Sequence, residues 1–297
     1  MSGIRGIAAV VLNYKTWRYA VACVNDLKAQ DHPDKHIIVV DNGSGNESAA
    51  ELKSRFGDDP TVTVLISKKN LGFARGNNLG IRYAHEKLGF DTVFVVNSDT
   101  RVEKGLFTCI ANTDCSSCGA ITPTVLNSIG EPQYYPVNCD DIEKHARRTV
   151  GNLIKANIAS LPLISKLYER YGKNPEDDQA PVPFEANRYI LQGCAYFLTP
   201  DFFAHYRGIY PRTFLYWEEV DLMLMLKRAG LGTLCVETPA VTHLGEGSTK
   251  RAAKNVERFR LRQSNRSMIS SLQLIFGMSE ARIRRCIDKS PQFIDEL

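Results

Sequence analysis

The stretch VFVVNSDT, residues 93–100, joins a short apolar run directly to a group of polar side chains. The apolar half has the length and the β-branched content of a strand that is buried on both faces. Three similar runs precede it, at residues 7–12, 37–40 and 62–66, with helical patterns between them. Strands that alternate with helices predict an α/β fold, in which helices cover both faces of a mostly parallel central sheet.

The same alternation extends to either side of this stretch. Apolar residues recur at helical spacing within residues 20–27, 48–56 and 74–88. Later in the chain, the sequence predicts helices near 104–110 and 218–229 and strands near 119–122, 189–198 and 233–236. Residues 127–188 differ, because they are polar, contain several prolines and show only a weak helical pattern at 142–171. We expect this region to form a partly helical excursion from the sheet.

Polar segments directly follow each of the first four predicted strands. They are Asn13-Tyr14, Asp41-Asn42, residues 68–75 and residues 97–99. Ligands of open α/β sheets bind outside the carboxyl ends of the strands. The sequence therefore predicts a binding site that these four segments share.

Two of these segments have the composition of a nucleotide site. In NLGFARGNN, residues 70–78, Arg75 can neutralise a phosphate, and Gly72 and Gly76 allow close approach of the backbone to a ligand. The N-terminus of the following helix also favours an anion. Asp41 can accept hydrogen bonds from a base or a ribose. Simpler alternatives are a loop with a helix cap for the first segment and a turn-forming aspartate in the second.

Asp99 and His243 are candidate metal ligands. A carboxylate just past an apolar strand suits a hard divalent cation that bridges a diphosphate. His243 follows another apolar run, and neutral imidazole is a common ligand once a metal is near. The alternatives are that Asp99 caps the next segment and that His243 has a structural role.

Three carboxylates crowd the start of a predicted helix in WEEVD, residues 217–221. The helix macrodipole favours acidic residues there, which is a sufficient structural explanation. The functional alternative is that Glu218, Glu219 or Asp221 acts as a general base. A carboxylate can take the proton of a hydroxyl group as that oxygen attacks an electrophilic carbon.

Composition and absent motifs exclude several other classes. The chain has 297 residues, 43% of them hydrophobic and 24% charged, which is typical of a globular protein. Its net charge of +4 is too small to indicate nucleic-acid binding. The dinucleotide-binding fingerprint, the P-loop and the G-x-S-x-G motif of hydrolases are all absent. No apolar segment reaches transmembrane length, so we expect a cytoplasmic protein.

Taken together, these segments resemble the family-2 glycosyltransferases, especially their bacterial rhamnosyltransferase-like branch. The matching stretches keep the family's order and span roughly residues 6–250; they are residues 10–14, 39–44, 70–78, 97–100, 193–195, 214–222, and His243 with Gly245 and Ser248. The resemblance implies a GT-A fold and an inverting transfer of a sugar from a nucleotide donor.

The resemblance also implies a role for each candidate residue. Glu219 would be the catalytic base, with Glu218 and Asp221 as the neighbouring candidates. Asp99 would be the remaining carboxylate of the D-x-D metal motif, and His243 a further contact to Mg²⁺ or Mn²⁺. The donor would be held by Asn13, Tyr14, Asp41, Asn42, Asn70, Gly72, Arg75, Asn78 and Asn97. Two departures stand out: an amide at Asn97 replaces the first D-x-D carboxylate, and the usual Glu-Asp pair reads Glu218-Glu219.

The predicted domain organisation is a catalytic domain at residues 1–249, with an acceptor-side excursion at 127–188, and a basic helical extension at 250–297. The extension carries a basic run interleaved with apolar side chains: Lys250, Arg251, Lys254, Arg258, Arg260, Arg262 and Arg266. Such a segment can lie on an anionic membrane surface. The alternatives are a helix packed on the domain and side chains that reach the donor diphosphate.

The expected activity is transfer of a sugar from dTDP-rhamnose or a UDP-sugar to a lipid-linked cell-surface glycan, on the inner face of the membrane. One alternative is a sugar-nucleotide pyrophosphorylase, which would need a glycine-rich loop after the first strand. That position reads NYKTW, residues 13–17, without glycine. The other alternative is a non-catalytic module that binds nucleotide sugars or glycans.

Overall fold

The computed structural model of the protein describes residues 4–133, 142–159, 191–245, 256–290 and 294–295. Its helices are α1 (Trp17–Lys28), α2 (Ser48–Phe56), α3 (Phe73–Arg82), α4 (Leu106–Ala111), α5 (Ile142–Ala159), α6 (Pro200–His205), α7 (Glu218–Arg228), α8 (Val256–Ile275) and α9 (Glu280–Asp288). Its strands are β1 (Ile7–Asn13), β2 (Lys35–Asp41), β3 (Val62–Ser67), β4 (Val93–Asn97), β5 (Thr100–Val102), β6 (Cys118–Thr122), β7 (Val125–Leu126), β8 (Ala195–Leu198), β9 (Gly232–Cys235), β10 (Val241–His243) and β11 (Ile294–Asp295).

The central sheet confirms the predicted α/β architecture. Its strand order is β11-β3-β2-β1-β4-β8-β6-β9. The four strands β3, β2, β1 and β4 run parallel to one another, and β9 is parallel to β6. Strand β8 is antiparallel to both β4 and β6, which the sequence did not predict. The sheet is therefore mostly parallel, with antiparallel pairing at β8, between β4 and β6, and at the edge strand β11, which pairs with β3.

Both faces of the sheet are buried because the strands alternate their side chains between two apolar clusters. Val10 and Val40 pack on the face covered by α3 and α7, whereas Val11 and Val39 pack on the face covered by α1 and α2. Helix α3 approaches β1 closely, since a Cβ at Gly80 would lie 2.4 Å from Val10 Cγ1. This close packing fixes the start of α3 next to the carboxyl end of β1.

Several predicted boundaries shift in the structure. The helix predicted at 74–88 ends at Arg82 and continues as a π-helical turn, Tyr83–Lys87. The strand predicted at 189–198 begins at Ala195. The helix predicted at 142–171 is described only to Ala159, and most of the 127–188 excursion lies outside the described residues.

A second, three-stranded sheet has the order β5-β10-β7 and was not predicted. Its strands are two or three residues long, too short to leave a periodic pattern in the sequence. Strand β10 runs antiparallel to β5 and pairs His243 with Thr100. The small sheet therefore carries His243 to the residue after Asp99.

The C-terminal helices pack against α7. Met268, Leu274 and Ile275 of α8 and Ile283 and Ile287 of α9 are buried in the same apolar cluster as α7. Ser248 of the matching stretches and Lys250, Arg251 and Lys254 of the basic run lie outside the described residues. Within the described part of the chain, no helix is both long and apolar enough to cross a membrane.

Candidate active site

A cleft of about 530 Å³ opens at the carboxyl ends of β1 and β4, beside the start of α7. Six of the predicted site residues line it: Tyr14, Asn97, Asp99, Glu218, Glu219 and His243. These residues come from four separate parts of the sequence. A cleft therefore opens at the edge of the sheet where the sequence predicts a binding site.

The end of β4 and the small sheet together hold the candidate metal ligands. Asn97 N donates to Cys194 O at 2.9 Å, which ties β4 to the segment before β8. Leu244 N donates to Asp99 O at 2.9 Å, which ties the turn after β4 to the end of β10. As a result, His243 Nε2 lies 3.6 Å from Asp99 Oδ2, and Asp99 is only 4% exposed.

The donor set at this point suits a cation shared between protein and ligand. Asp99 supplies a carboxylate oxygen and His243 an imidazole nitrogen, and both line the cleft. Among the described residues, no group of three or more His, Cys, Asp and Glu side chains could hold a metal ion. A divalent cation here would therefore take its remaining ligands from water and from diphosphate oxygens.

The start of α7 is set by an unusual backbone. Tyr216 and Trp217 both have left-handed conformations, with φ of 72° and 76°. Such angles are costly for non-glycine residues and persist only where the surroundings hold them. Trp217 is buried, and its Nε1 donates to Ser264 Oγ of α8 at 3.2 Å. Packing against α8 therefore holds the turn that directs Glu218 and Glu219 into the cleft.

Burial raises the pKa of all three carboxylates in the first turn of α7. The pKa of Glu218 lies well above its usual range, first because of burial and then because of the charge on Glu219. Burial likewise raises the pKa of Glu219, which is half-buried at the cleft wall. A raised pKa makes Glu219 a stronger proton acceptor once it is ionised.

Gly193 explains how Glu219 reaches its position. A Cβ at Gly193 would lie 1.9 Å from Glu219 Oε1, so any other residue would displace that carboxylate. The sequence showed Gly193 within a matching stretch without giving it a role. The structure shows that it leaves room for the carboxylate.

Asp221 does not reach the cleft. It is 1% exposed and accepts a hydrogen bond from Ser271 Oγ at 2.8 Å. The prediction grouped Asp221 with the two glutamates because they share one helical turn. Asp221 lies on the side of α7 that faces α8, so its hydrogen bond joins these two helices and its carboxylate does not enter the cleft.

Asn13 and Asp41 join the ends of β1 and β2. Asn13 Nδ2 donates to Asp41 Oδ1 at 2.8 Å, and Ser44 N donates to Asp41 Oδ2 at 3.2 Å. Both side chains are buried and neither lines the cleft. These hydrogen bonds fit the turn-forming alternative for Asp41, and its contact with a nucleotide stays a prediction.

The asparagines around α3 hold protein segments together. Asn42 Nδ2 donates to Gly72 O at 3.0 Å, and Asn70 Oδ1 accepts from Gly72 N at 2.8 Å. Asn78 exchanges two hydrogen bonds of 2.8 Å with the backbone of Ile209. None of these four residues lines the cleft.

The two glycines of the motif at residues 70–78 pack closely against other protein segments. A Cβ at Gly72 would lie 2.4 Å from Phe214 O, and one at Gly76 would lie 2.8 Å from Leu12 Cδ1. Gly72 also has a φ of +82°, which L-residues rarely adopt. The expectation that these glycines free the backbone for a ligand stays a prediction.

Arg75 lies outside the cleft, in a separate pocket with residues of α9. In the part of the chain that the structure describes, Arg260 of α8 is the Lys or Arg side chain that lines the cleft. In the sequence, Arg260 belongs to the basic run, for which contact with the donor diphosphate was one alternative. No other signal in the sequence pointed to Arg260. Tyr216 and Cys194 fell within matching stretches, whereas Gln133 and Gln192 line the cleft with no signal in the sequence.

Comparison with known proteins places the chain among sugar-transferring enzymes. The sequence profile of Glycosyl transferase family 2 matches residues 8–180. The low-salt glycan biosynthesis hexosyltransferase Agl10 of Haloferax volcanii is 29% identical over 130 residues, 42% of this chain and 38% of that protein. The chain therefore matches well under half of that relative's length.

Solved structures confirm the predicted GT-A fold. Staphylococcus aureus TarS (residues 1–349, in complex with UDP-GlcNAc) has a TM-score of 0.53 and 11% identity, with 95% of this chain and 70% of that chain covered. The mannosyltransferase PcManGT of Pyrobaculum calidifontis, in complex with GDP-Man and Mn²⁺, has a TM-score of 0.50 and 10% identity, with 95% and 72% covered. At these identities the likeness concerns the fold alone.

Proposed function

Because this chain belongs to glycosyltransferase family 2, we propose that its cleft transfers a sugar, with inversion, from a nucleoside-diphosphate donor to a glycan acceptor. The observation that carries the proposal is the position of Glu219. This carboxylate lines the cleft and also lines an apolar groove of about 520 Å³ on its other side. A group placed between two cavities can act on an acceptor in one and a donor in the other.

In the proposed reaction, Glu219 is the general base. It takes the proton of an acceptor hydroxyl while that oxygen forms a bond to the anomeric carbon of the donor sugar. The bond from the anomeric carbon to the diphosphate breaks, and the nucleoside diphosphate leaves with the electron pair. Displacement from the opposite face inverts the configuration and needs one carboxylate only. Glu218 is too buried for this role, at 7% exposed.

Donor binding is proposed for the side of the cleft that holds Tyr14, Asn97 and Asp99. Asp99 and His243 are the residues that would hold Mg²⁺ or Mn²⁺, and a bound divalent cation offsets the charge that develops on a leaving diphosphate. Support comes from the 3.6 Å separation of these two side chains and from the Mn²⁺ in the complex of PcManGT. Arg260 also lines the cleft and adds a positive charge to its wall.

The acceptor is proposed to enter from the apolar groove. Its wall includes Leu153, Trp217, Val220 and Leu261, which α5, α7 and α8 bring together. An apolar wall beside the base suits an acceptor that carries an apolar part, such as a lipid-linked glycan. The name of Agl10, a glycan biosynthesis hexosyltransferase, is consistent with a glycan acceptor. For the donor we keep dTDP-rhamnose or a UDP-sugar, on the resemblance to the rhamnosyltransferase-like branch.

Such an acceptor would place the enzyme at the cytoplasmic face of a membrane. Arg262 and Arg266 are exposed on α8, whereas Arg260 lines the cleft. Each Lys or Arg near an anionic surface contributes about 1 kcal/mol, and salt screens the attraction. Co-sedimentation with anionic vesicles but not with neutral ones, lost at high salt, tests this part of the proposal.

The proposal as a whole is tested by a panel of nucleotide sugars in thermal unfolding, with and without Mn²⁺. A ligand at about 100 times its Kd stabilises the folded state by about 2.7 kcal/mol. We expect one donor class to raise the Tm, more strongly with Mn²⁺, and to release nucleoside diphosphate when a glycan acceptor is added. Stabilisation without any turnover would favour the non-catalytic module. If no nucleotide sugar raised the Tm, the donor site would be wrong.

A further inference from the structure

A pocket of about 420 Å³ lies between α3, α9 and the start of the segment 211–216. We call it the basic pocket, because its wall includes Arg75, Arg212, Arg282, Arg285 and Lys289. The segment 211–216 separates it from the cleft, since Arg212 lines the pocket while Leu215 and Tyr216 line the cleft. The proposed sugar transfer makes no use of this pocket.

Cations from distant parts of the chain converge here. Arg75 comes from the first turn of α3, and Arg282, Arg285 and Lys289 come from α9 and the residue that follows it. The spacing of the last three, i, i+3 and i+7, places them on one side of the helix. The opposite side of α9 buries Ile283 and Ile287 in the core, so the helix is held firmly. The basic face is thus fixed toward the pocket.

On the neighbouring surface, two arginines form ion pairs with carboxylates. Arg284, beside Arg285 in the sequence, pairs with Glu280, and Arg82 pairs with Glu86 at 3.2 Å. In the part of the chain that the structure describes, the wall of the basic pocket contains five cations and no carboxylate. The net charge of the whole chain is only +4. This concentration of charge in a concavity attracts anions, because like charges held together are stabilised when an anion neutralises them.

The chemistry of the wall selects the kind of anion. Guanidinium groups bind phosphate oxygens with two parallel hydrogen bonds each, and they do so better than they bind small monovalent anions. Four guanidinium groups and one ammonium group exceed what a single monoanion can neutralise. We propose that the basic pocket binds a phosphate-bearing group, a diphosphate or a phosphomonoester, separate from the nucleotide in the cleft.

Binding of inorganic pyrophosphate, measured by calorimetry on the full chain in the presence of a chelator, tests the proposal. Arg285→Ala is expected to weaken binding about tenfold, because a charge-assisted contact of about 1.4 kcal/mol is lost. Arg284→Ala is the matched control, since the two residues are adjacent on α9 and Arg284 is already paired. We expect it to change the affinity less than about twofold. Thermal unfolding of both variants shows whether α9 stays in place.

The cleft is the site that pyrophosphate would otherwise occupy. If Arg260→Ala abolishes binding and Arg285→Ala does not, the anion sits in the cleft and the proposal is overturned. Equal affinities for Arg285→Ala and Arg284→Ala overturn it as well, and so does a wild type that binds no pyrophosphate. Donor binding, measured by nucleotide-sugar stabilisation, is expected to be unchanged in Arg285→Ala. A failure of the proposal for the basic pocket is therefore distinguishable from a failure of the proposed sugar transfer.

The phosphate can belong to a soluble compound or to a lipid headgroup, and vesicles separate these sources. Vesicles of phosphatidylcholine with phosphatidic acid present phosphomonoester groups, whereas pure phosphatidylcholine does not. Binding to the first kind that pyrophosphate displaces and that Arg285→Ala weakens supports a lipid phosphate. Pyrophosphate binding that depends on Arg285, without vesicle binding, supports a soluble one. Vesicle binding that is the same in both variants and that pyrophosphate does not displace is attributed to the arginines of α8, and it overturns a lipid phosphate as the ligand of the pocket.

Discussion

The cleft and the basic pocket lie against the same short segment, 211–216, yet they carry opposite charge. Among the described residues, the cleft contains Asp99, Glu218 and Glu219 with one cation, Arg260. The basic pocket contains five cations and, among the described residues, no carboxylate in its wall. Both are proposed to receive phosphate groups. The difference shows that a site which must also accept a proton cannot be built from cations alone.

The carboxylates of the cleft disfavour the binding of an anion, whereas the cations of the basic pocket favour it. Acidic side chains repel a diphosphate, so the cleft would need a cation held by Asp99 and His243. The first turn of α7 also keeps Glu218 and Asp221 almost fully buried, where ionisation is unfavourable. The helix macrodipole offsets part of this cost. Each of the following predictions separates the two regions by changing one carboxylate.

The largest effect is expected for Glu219→Gln. The amide keeps the size of the side chain but cannot accept the proton, so kcat should fall about 10²- to 10⁴-fold. Donor binding, measured by thermal stabilisation, should stay near that of the wild type. Pyrophosphate binding in the basic pocket should not change. Turnover within a few-fold of the wild type would remove Glu219 from the role of general base.

A smaller loss is expected for Asp99→Asn. Removal of one of the two candidate metal ligands should weaken Mn²⁺-supported binding of the nucleoside diphosphate about 10- to 100-fold. In excess chelator, the wild type and the variant should bind it equally. Pyrophosphate binding at the basic pocket, measured without metal, should be the same in both. Full wild-type activity in excess chelator would show that Arg260 and its neighbours neutralise the diphosphate without a metal.

The smallest effect, and a gain, is expected for the stability of Glu218→Gln. The folded-state pKa of Glu218 is raised above its unfolded value by burial, so its contribution to stability is present at low pH and is lost as pH rises through the folded-state pKa. The amide of Gln does not ionise, so the variant does not lose this stability as the pH rises. The Tm of the variant should exceed that of the wild type by a few degrees at neutral pH, since about 1 kcal/mol shifts Tm by ~2–4 °C. The difference in Tm between the variant and the wild type should disappear at low pH.

Glu131→Gln is the matched control for this measurement, because Glu131 is exposed. Its Tm should follow that of the wild type at every pH. A Glu218→Gln variant that is less stable than the wild type at neutral pH would show that the carboxylate of Glu218 is bound in its ionised form. The pH dependence of kcat gives a second check, since the raised pKa of Glu219 predicts a rate that increases with pH until Glu219 is ionised.

The same contrast separates what the sequence predicted well from what it predicted poorly. The polar residues at the end of β4, the two glutamates and His243 were expected in one site, and the structure brings them into one cleft. These residues share one cleft because strand ends in a parallel sheet meet at one edge. It grouped Asp221 with them, because helical periodicity does not reveal which neighbouring helix covers each side of α7.

The motif around α3 was predicted least well. Arg75, Asn70 and Asn78 have residue types typical of a ligand site, and so do Asn13 and Asp41. In the structure their hydrogen bonds and close approaches are mostly to other protein segments, such as Gly72 against Phe214 and Asn78 on Ile209. An amide or a glycine can serve a ligand or a distant backbone equally well. Residue type alone cannot distinguish the two.

The sequence by itself determined the sheet, because doubly buried strands and amphipathic helices are local patterns that hydrophobic burial enforces. It also determined which strand ends carry polar groups. Only the tertiary structure decided that β8 runs antiparallel, that a second sheet brings His243 within 3.6 Å of Asp99, and that Gly193 makes room for Glu219. It likewise decided that Arg75 joins α9 in the basic pocket. These features depend on contacts between residues far apart in the chain, and such contacts leave no periodicity in the sequence.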